Sequence, residues 1–205
     1  MSTKVKICGI TNVADGLAAA EAGADMIGLM FYEKSPRHVT MPTAVAIARA
    51  IPPFVLKVGV FVNAPEELIL RAIGECGLGM VQFHGEETPE FCTQFGLMSM
   101  KAFRVRDADS LHALPHYRTD AFLLDAYSAT GLGGTGETFN WDLAIEAKKF
   151  GKPIFLAGGL TPDNVADAVR KVQPFAVDVS SGVESSPGKK DHAEVRAFIQ
   201  AVNSV

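Results

Sequence analysis

The chain has 205 residues, of which 48% are hydrophobic and 20% are charged, and its formal net charge is −4. This composition is that of an ordinary globular protein that is large enough to bury a substantial core. The weakly acidic balance gives no indication of binding to nucleic acid or to anionic membranes, although a few local donors can still hold a small anion. No apolar run approaches the length of a membrane span, and we expect no signal peptide.

The three cysteines, Cys8, Cys76 and Cys92, are widely spaced and form no C-x-x-C pair. An odd number of cysteines with this spacing predicts neither a disulfide framework nor a metal cluster. We therefore expect no bound metal ion, and we expect the protein to reside in a reducing cytoplasm.

Strand-like and helix-like segments alternate along the chain. The predicted strands are nearly continuous apolar runs, as expected for a parallel sheet that is covered by helices. They comprise residues 5–8, 26–31, 54–62, 80–83, 98–105, 121–125, 153–157 and 175–179. The predicted helices comprise residues 12–22, 41–50, 65–74, 89–95, 109–114, 141–150, 162–171 and 191–202.

Eight strand–helix units predict an α/β fold of the (β/α)8 or TIM-barrel type, a closed parallel sheet inside a ring of helices. No segment resembles a linker, a charged tail or a low-complexity region, so we expect one barrel domain over residues 1–205. An open doubly wound sheet is the alternative, which is disfavoured because no segment remains for a long edge or a second domain. In a TIM barrel, functional residues lie at the C-terminal ends of the strands and in the loops that follow.

Two reactive side chains stand at such strand ends, Cys8 in the first strand and Asp125 in the sixth. A thiolate can act as a base or a nucleophile and a carboxylic acid can donate a proton, so the two form a candidate acid–base pair. A free thiol titrates about 1.5 units above neutral, so Cys8 needs help from backbone N–H groups or a cation, which the sequence does not identify. The alternatives are a small buried hydrophobe for Cys8 and a turn or cap residue for Asp125.

Two loops of small residues predict a phosphate site. Gly158 and Gly159 follow the seventh strand, and Ser180, Ser181 and Gly182 follow the eighth. In many barrels these two loops, with the start of a short extra helix, hold a phosphate through backbone N–H groups. Glycine lets the main chain approach the ligand, and serine adds hydroxyl donors. Two ordinary turns are the alternative interpretation.

Further polar and flexible positions follow other strands. The connection after the sixth strand is long and includes Gly134, Thr135 and Gly136, which predicts a lid that contacts the ligand. Arg37 follows the second strand, where its fork can take a carboxylate bidentately, unless it is a solvated surface arginine. His84 follows the fourth strand and is a further candidate for substrate contact.

Side-chain parity predicts a charged pair inside the barrel. Lys6 shares a strand face with Cys8, because alternate residues of a strand point the same way. Barrel closure makes the eighth strand the neighbour of the first, and Asp178 shares parity with Ser180. If Cys8 faces the barrel axis, Lys6 and Asp178 approach each other as a buried ion pair. Such a pair is weak evidence for net stability, since desolvation opposes the attraction.

Eight segments occur in a specific order along essentially the whole chain. They are residues 6–11 (KICGIT), 35–37 (SPR), 59–63 (GVFVN), 82–85 (QFHG), 124–125 (LD), 133–136 (GGTG), 156–160 (LAGGL) and 178–184 (DVSSGVE). Any one of them is weakly specific, but together they resemble the phosphoribosylanthranilate isomerase family. Residues 29–30 (LM) differ slightly from the phenylalanine-rich form associated with that family.

The resemblance implies a function in tryptophan biosynthesis, the Amadori rearrangement of N-(5-phosphoribosyl)anthranilate to 1-(2-carboxyphenylamino)-1-deoxyribulose 5-phosphate. It implies that Asp125 protonates the ribose ring oxygen and that Cys8, as thiolate, removes the proton from the sugar C2. Arg37 is then expected to hold the anthranilate carboxylate, and the two small-residue loops the phosphate. One acid and one base suffice for this proton-shuttling isomerisation, so we expect no cofactor.

Other functions are compatible with parts of the pattern. A histidine-pathway aminoaldose isomerase resembles this chain in fold and reaction type but has an aspartate where Cys8 stands. A Schiff-base lyase or aldolase needs Lys6 or Lys101 at the barrel top, and a non-catalytic phosphosugar sensor needs only the phosphate loops. Cys8 with Arg37 favours the anthranilate reaction, and Cys8 with Asp125 argues against the sensor. No motif determines the oligomeric state, and we expect a monomer.

Overall fold

The computed structural model describes residues 2–126 and 141–205. Within these residues, eight parallel strands form a closed barrel in sequence order. The strands are β1 (Lys4–Cys8), β2 (Met26–Met30), β3 (Leu56–Phe61), β4 (Met80–Phe83), β5 (Met98–Val105), β6 (Ala121–Ala126), β7 (Ile154–Leu156) and β8 (Ala176–Val179). The predicted TIM-barrel fold is confirmed.

Helices surround the barrel, and side chains cap the starts of several of them. The described α-helices are α1 (Val13–Ala22), α2 (Met41–Ala50), α3 (Glu66–Cys76), α4 (Trp141–Ala147), α5 (Val165–Val172) and α6 (His192–Asn203). The Asn12 side chain accepts from the backbone N–H of Asp15 at the start of α1. The Asp191 side chain accepts from the N–H groups of Ala193 and Glu194 at the start of α6. Over the described ranges, no helix has the length and apolar character needed to cross a membrane.

The predicted helices after β4 and β5 are 3-10 helices rather than α-helices. The first covers only Phe91–Thr93, and the second, Ala108–His116, contains Pro115. Proline has no backbone N–H and its ring clashes with the preceding turn, which disfavours the interior of an α-helix. The tighter 3-10 helix is used in such short pieces. Two helical positions of the (β/α)8 frame are therefore filled by 3-10 segments.

Two apolar cores hold the fold together. The barrel interior is filled by Met26, Val58, Met80, Met100, Ala102, Ala121, Leu123, Phe155, Ala157 and Ala176. A larger cluster lies between the outer faces of the strands and the helices, and it includes Ile7, Phe83, Leu124 and Phe198. Removal of this apolar surface from water is the main favourable term in folding, and it fixes the strand ends that carry polar groups.

The seam between β1 and β8 closes the barrel and contains the predicted charged pair. Lys6 lies opposite Asp178 in the register of the two strands. The Nζ atom of Lys6 is 2.8 Å from Oδ1 of Asp178, and the Lys6 side chain has no exposed area. The prediction of a buried ion pair is confirmed.

A small antiparallel hairpin after β8 was not predicted from the sequence. Its strands are β9 (Glu184–Ser186) and β10 (Lys189–Lys190), and a 3-10 turn over Ser181–Val183 precedes it. Gly188 in the hairpin turn has φ 80°, a left-handed conformation that favours glycine. The hydroxyl of Thr11 donates to the carbonyl of Gly188, which ties the hairpin to the loop after β1.

Candidate active site

Cys8 ends β1 at the mouth of the barrel, the end at which the strands have their C-termini, and it is 6% exposed. Gly28 of β2 lies opposite Cys8 in the register. A Cβ atom on Gly28 would lie 2.7 Å from the Cys8 Sγ and 3.1 Å from the Lys6 Nζ, so a glycine leaves room for both groups. The Lys6 ammonium donates to the Asp178 carboxylate over 2.8 Å and lies close to the Cys8 thiol.

Burial and charge act in opposite directions on the Cys8 thiol. Burial raises its pKa, the Lys6 ammonium lowers it, Asp178 raises it, and the net pKa lies above the ordinary value. Burial lowers the pKa of Lys6, but the charges of Asp178 and Cys8 outweigh it and raise the pKa overall. Lys6 is thus a cation close to the thiol, which is the kind of partner that a thiolate needs.

Asp125 lies near the end of β6 with 31% of its side chain exposed. Its Oδ2 atom is 3.5 Å from Nε2 of His84, which directly follows β4. The other ring nitrogen of His84, Nδ1, is 3.2 Å from Nε2 of the buried Gln82. When Gln82 donates to Nδ1, the imidazole carries its proton on Nε2, facing Asp125. Oε1 of Gln82 has no hydrogen-bond partner among the described residues.

Arg37, in the loop after β2, forms a bidentate ion pair with Glu184 of β9. Nε and Nη2 of Arg37 donate to Oε1 and Oε2 of Glu184, each over 2.8 Å. The arginine stem crosses the residue after Cys8, since a Cβ atom on Gly9 would lie 2.6 Å from the Arg37 Cδ. Arg37 therefore lies beside the strand end that carries Cys8, with part of its fork already occupied.

Lys190 of β10 joins the same network, and sequence reasoning did not identify it. Its Nζ atom donates to Oε1 of Glu184 over 2.8 Å and to the backbone carbonyl of Ser180 over 3.0 Å. The sequence places Glu184 in a motif but gives it no role. A Pro-Gly turn signal at residues 187–188 could have indicated the hairpin that carries both side chains.

The two predicted phosphate loops are in backbone contact. Gly158 and Gly159 have φ values of 83° and 66°, in the left-handed region. The side-chain amide of Asn164 donates to the Gly159 carbonyl over 2.9 Å and stabilises this turn. A Cβ atom on Gly182 would lie 1.9 Å from the carbonyl oxygen of Leu160, so the loop after β8 touches the loop after β7.

The predicted site residues fall into two groups on different strands. Arg37 and Ser180 share one network through Glu184 and Lys190, beside Cys8, whereas Asp125 contacts His84. Among the described residues, no hydrogen bond or ion pair connects the two groups directly. Residues 134–136, with the predicted lid positions Gly134, Thr135 and Gly136, lie outside the described residues. In the described ranges, no three His, Cys, Asp or Glu side chains are grouped to hold a metal ion.

The fold and these strand-end groups define a TIM-barrel enzyme with ionisable groups at the mouth of the barrel. A sequence profile described as N-(5'phosphoribosyl)anthranilate (PRA) isomerase matches residues 5–201. The chain belongs to this family.

Relatives match over nearly the whole chain. A protein of Geobacter sulfurreducens named N-(5'-phosphoribosyl)anthranilate isomerase is 56% identical over 197 residues, which cover 96% of this chain and 97% of the relative. The crystal structure of phosphoribosyl anthranilate isomerase from Thermotoga maritima has a TM-score of 0.94 and 42% identity, covering 99% of this chain and 100% of that one. Another crystal structure shows phosphoribosyl anthranilate isomerase in complex with reduced 1-(o-carboxyphenylamino)-1-deoxyribulose 5-phosphate. It has a TM-score of 0.89 and 40% identity, and the match covers 99% of this chain and 100% of that one.

Proposed function

We propose that this chain performs the reaction of its family with Cys8 as general base and Asp125 as general acid. As a family member, the chain is an isomerase of tryptophan biosynthesis that converts N-(5'-phosphoribosyl)anthranilate into 1-(o-carboxyphenylamino)-1-deoxyribulose 5-phosphate. The observation that carries the residue assignment is the position of the Lys6 ammonium close to the Cys8 thiol, because a nearby cation favours the thiolate.

The proposed reaction has one proton transfer from Asp125 and one to Cys8, followed by a tautomerisation. Asp125 gives a proton to the ribose ring oxygen, the bond from that oxygen to C1 breaks, and the nitrogen lone pair forms a Schiff base. The thiolate of Cys8 then removes the proton from C2, and the C–H electrons form a C1–C2 double bond as the nitrogen becomes neutral. Protonation of C1 and loss of the hydroxyl proton at C2 complete the ketone. His84 supports the first step as the neighbour of Asp125.

The anionic groups of the substrate are assigned to Arg37 and the glycine loops. Contact between the loops that carry Gly159 and Gly182 supports a shared phosphate seat after β7 and β8. Arg37 is proposed for the anthranilate carboxylate, since its pair with Glu184 leaves other N–H donors of its fork. Ser180, Ser181 and Gly158 complete the proposed phosphate loops, and residues 134–136 remain the proposed lid.

A Schiff-base lyase is not supported as a second function. The Lys6 ammonium is fully buried and paired with Asp178. The Lys101 ammonium is buried and donates to the carbonyl of Gly85 over 2.6 Å. Neither lysine is therefore poised as a free amine for attack on a carbonyl group.

One assay tests the proposed reaction. Purified protein is mixed with freshly generated N-(5'-phosphoribosyl)anthranilate, and the loss of anthranilate-type fluorescence is followed. We expect turnover in the usual enzymatic range, about 1–10³ per second. Absence of turnover by the wild-type protein would refute the reaction, whereas full activity without the acid or the base would refute only the assigned roles.

We also propose that the chain acts as one domain, as a monomer and in the cytoplasm. The buried free cysteines of the described chain suit a reducing compartment. The alternative is a dimer, which would bury Phe54, Met98 and Phe175, exposed at the end of the barrel opposite the site, with Phe54 at 84%. Light scattering after size exclusion decides between the two states: a mass near 21.8 kDa supports the monomer, and twice that mass refutes it.

A further inference from the structure

Glu184 lies between the two proposed anion sites. Its carboxylate accepts hydrogen bonds from Arg37 and from Lys190, and its side chain is only 4% exposed. Lys190, whose side chain has no exposed area, extends the network to the carbonyl and hydroxyl oxygens of Ser180. One buried carboxylate thus connects the arginine proposed for the substrate carboxylate with a serine of the proposed phosphate loop.

The hairpin that carries Glu184 is fixed to its surroundings on several sides. The backbone N–H of Lys190 donates to Oδ2 of the buried Asp15 over 2.9 Å. A Cβ atom on Gly188 would lie 2.8 Å from the carbonyl oxygen of Pro36, so the hairpin turn contacts the loop after β2. Because Pro36 directly precedes Arg37, the hairpin braces the backbone as well as the side chain of the arginine.

The charges in this network keep Glu184 ionised. Burial raises the pKa of Glu184, but hydrogen bonds from Arg37 and Lys190 outweigh it and lower the pKa below the usual value. The three side chains together carry a net charge of about +1, which suits a site for an anionic ligand. Loss of the Glu184 charge would leave two cations close together in a buried environment.

The ion pair also determines which part of Arg37 faces a ligand. A guanidinium group has five N–H donors in a planar fork. Glu184 occupies one donor on Nε and one on Nη2, which leaves the edge formed by Nη1 and Nη2 for a bidentate contact. The Arg37 side chain is 23% exposed and that of Glu184 is 4% exposed, so a ligand can reach the arginine but not the glutamate.

We propose that Glu184 is a positioning residue that holds Arg37 ready for the carboxylate on the aromatic ring of the substrate. It thereby sets a preference for a carboxylated arylamine over an unsubstituted one. Fixing the arginine before the ligand arrives reduces the ordering cost of binding. The inference rests on the proposed role of Arg37 in binding the substrate carboxylate.

Calorimetric binding of two product analogues tests this inference without any turnover. One is reduced 1-(o-carboxyphenylamino)-1-deoxyribulose 5-phosphate, and the other is the same compound made from aniline, which lacks the carboxylate. We expect Glu184→Gln to weaken binding of the carboxylated analogue about tenfold and that of the aniline analogue by less than about threefold. The control Lys189→Gln, exposed on the same hairpin, should leave both affinities unchanged. Equal weakening of both analogues would overturn the proposal.

A double-mutant cycle separates positioning from a merely structural role. If Glu184 acts through Arg37, then Glu184→Gln should have little effect once Arg37 is replaced by alanine. In the Arg37→Ala background, we expect it to weaken binding of the carboxylated analogue by less than about threefold. An additive loss in that background would contradict the proposal. If Glu184→Gln does not fold, Glu184→Asp takes its place, because aspartate keeps the charge on a shorter side chain. Glu184→Asp should weaken the binding of the carboxylated analogue only. A wild-type enzyme that binds neither analogue would overturn the proposed function itself, and this inference with it.

Discussion

The Lys6 ammonium lies 2.8 Å from the Asp178 carboxylate across the seam that closes the barrel, and it also lies close to the Cys8 thiol. One buried cation is therefore shared between a carboxylate and the proposed catalytic base. The carboxylate compensates the buried charge of the lysine, and the lysine favours the ionised form of the thiol. We therefore propose that this ion pair serves the chemistry of the site, whereas a buried pair is by itself weak evidence for net stability.

Removal of this ion pair should move the pH dependence of the reaction to higher pH. Lys6→Met/Asp178→Asn removes both charges, and the ammonium has the larger effect on the thiol. Loss of the cation destabilises the thiolate and raises the pKa of Cys8 further. Because the thiolate is the proposed base, the rising limb of kcat/KM against pH should shift upward, as should the thiolate absorbance titration.

Lys4→Met is the matched control for the Lys6 prediction, since Lys4 lies on the same strand and pairs with Asp25 at the surface over 2.8 Å. Its pH profile should coincide with that of the wild type, because exposed pairs contribute little. A double variant at Lys6 and Asp178 with the wild-type pH profile would show that the ammonium does not act on the thiol.

His84 should contribute to the acid step through Asp125. In His84→Ala, the carboxyl group loses the imidazole that lies 3.5 Å from its Oδ2 atom and is less well oriented. A small misplacement of a catalytic group can lower the reaction rate by up to about 10²-fold. We therefore expect kcat to fall on that scale, with a smaller change in KM. The control His112→Ala alters an exposed histidine near Asp109 and should leave kcat intact. An unchanged kcat in His84→Ala would remove His84 from the mechanism.

Gly182→Ala tests the contact between the two phosphate loops. The added methyl group would lie 1.9 Å from the Leu160 carbonyl oxygen, so the loops must separate. Overpacking of this kind costs typically 1–3 kcal/mol, and we expect KM and the inhibition constant of inorganic phosphate to rise about tenfold. Gly74→Ala, in α3 with no heavy atom near the new methyl group, is the control and should bind normally. Wild-type affinity in Gly182→Ala would argue against a phosphate seat here.

Several features could be predicted from the sequence because they follow from local patterns or from barrel geometry. The bounds of α2 and β5 agree with the apolar patterns that predicted them. The Lys6–Asp178 pair follows from the two-residue period of strands and from barrel closure, which are independent of side-chain detail. Cys8 and Asp125 could be assigned to the barrel mouth for the same reason.

Other features depend on tertiary contacts that no local pattern reveals. The strands β9 and β10 are too short for a periodic signal, so the partners that Glu184 and Lys190 find in the fold could not be predicted. The 3-10 form of Ala108–His116 reflects a proline whose neighbourhood otherwise predicts a helix. Phe54 and Phe175 extend apolar runs beyond the strands: Phe54 is 84% exposed, and Phe175 is half exposed, with its ring centroid 5.6 Å from that of Phe155.

The most direct test of the central claim is the turnover of N-(5'-phosphoribosyl)anthranilate by Cys8→Ala and by Asp125→Asn, each folded and compared with the wild type. Loss of a general base or acid should lower kcat by about 10²–10⁴-fold in each variant. Cys92→Ala is the matched control, since burial raises the pKa of that thiol to about 12 and keeps it protonated; it should retain full activity. Wild-type turnover in Cys8→Ala or in Asp125→Asn would contradict the proposed mechanism.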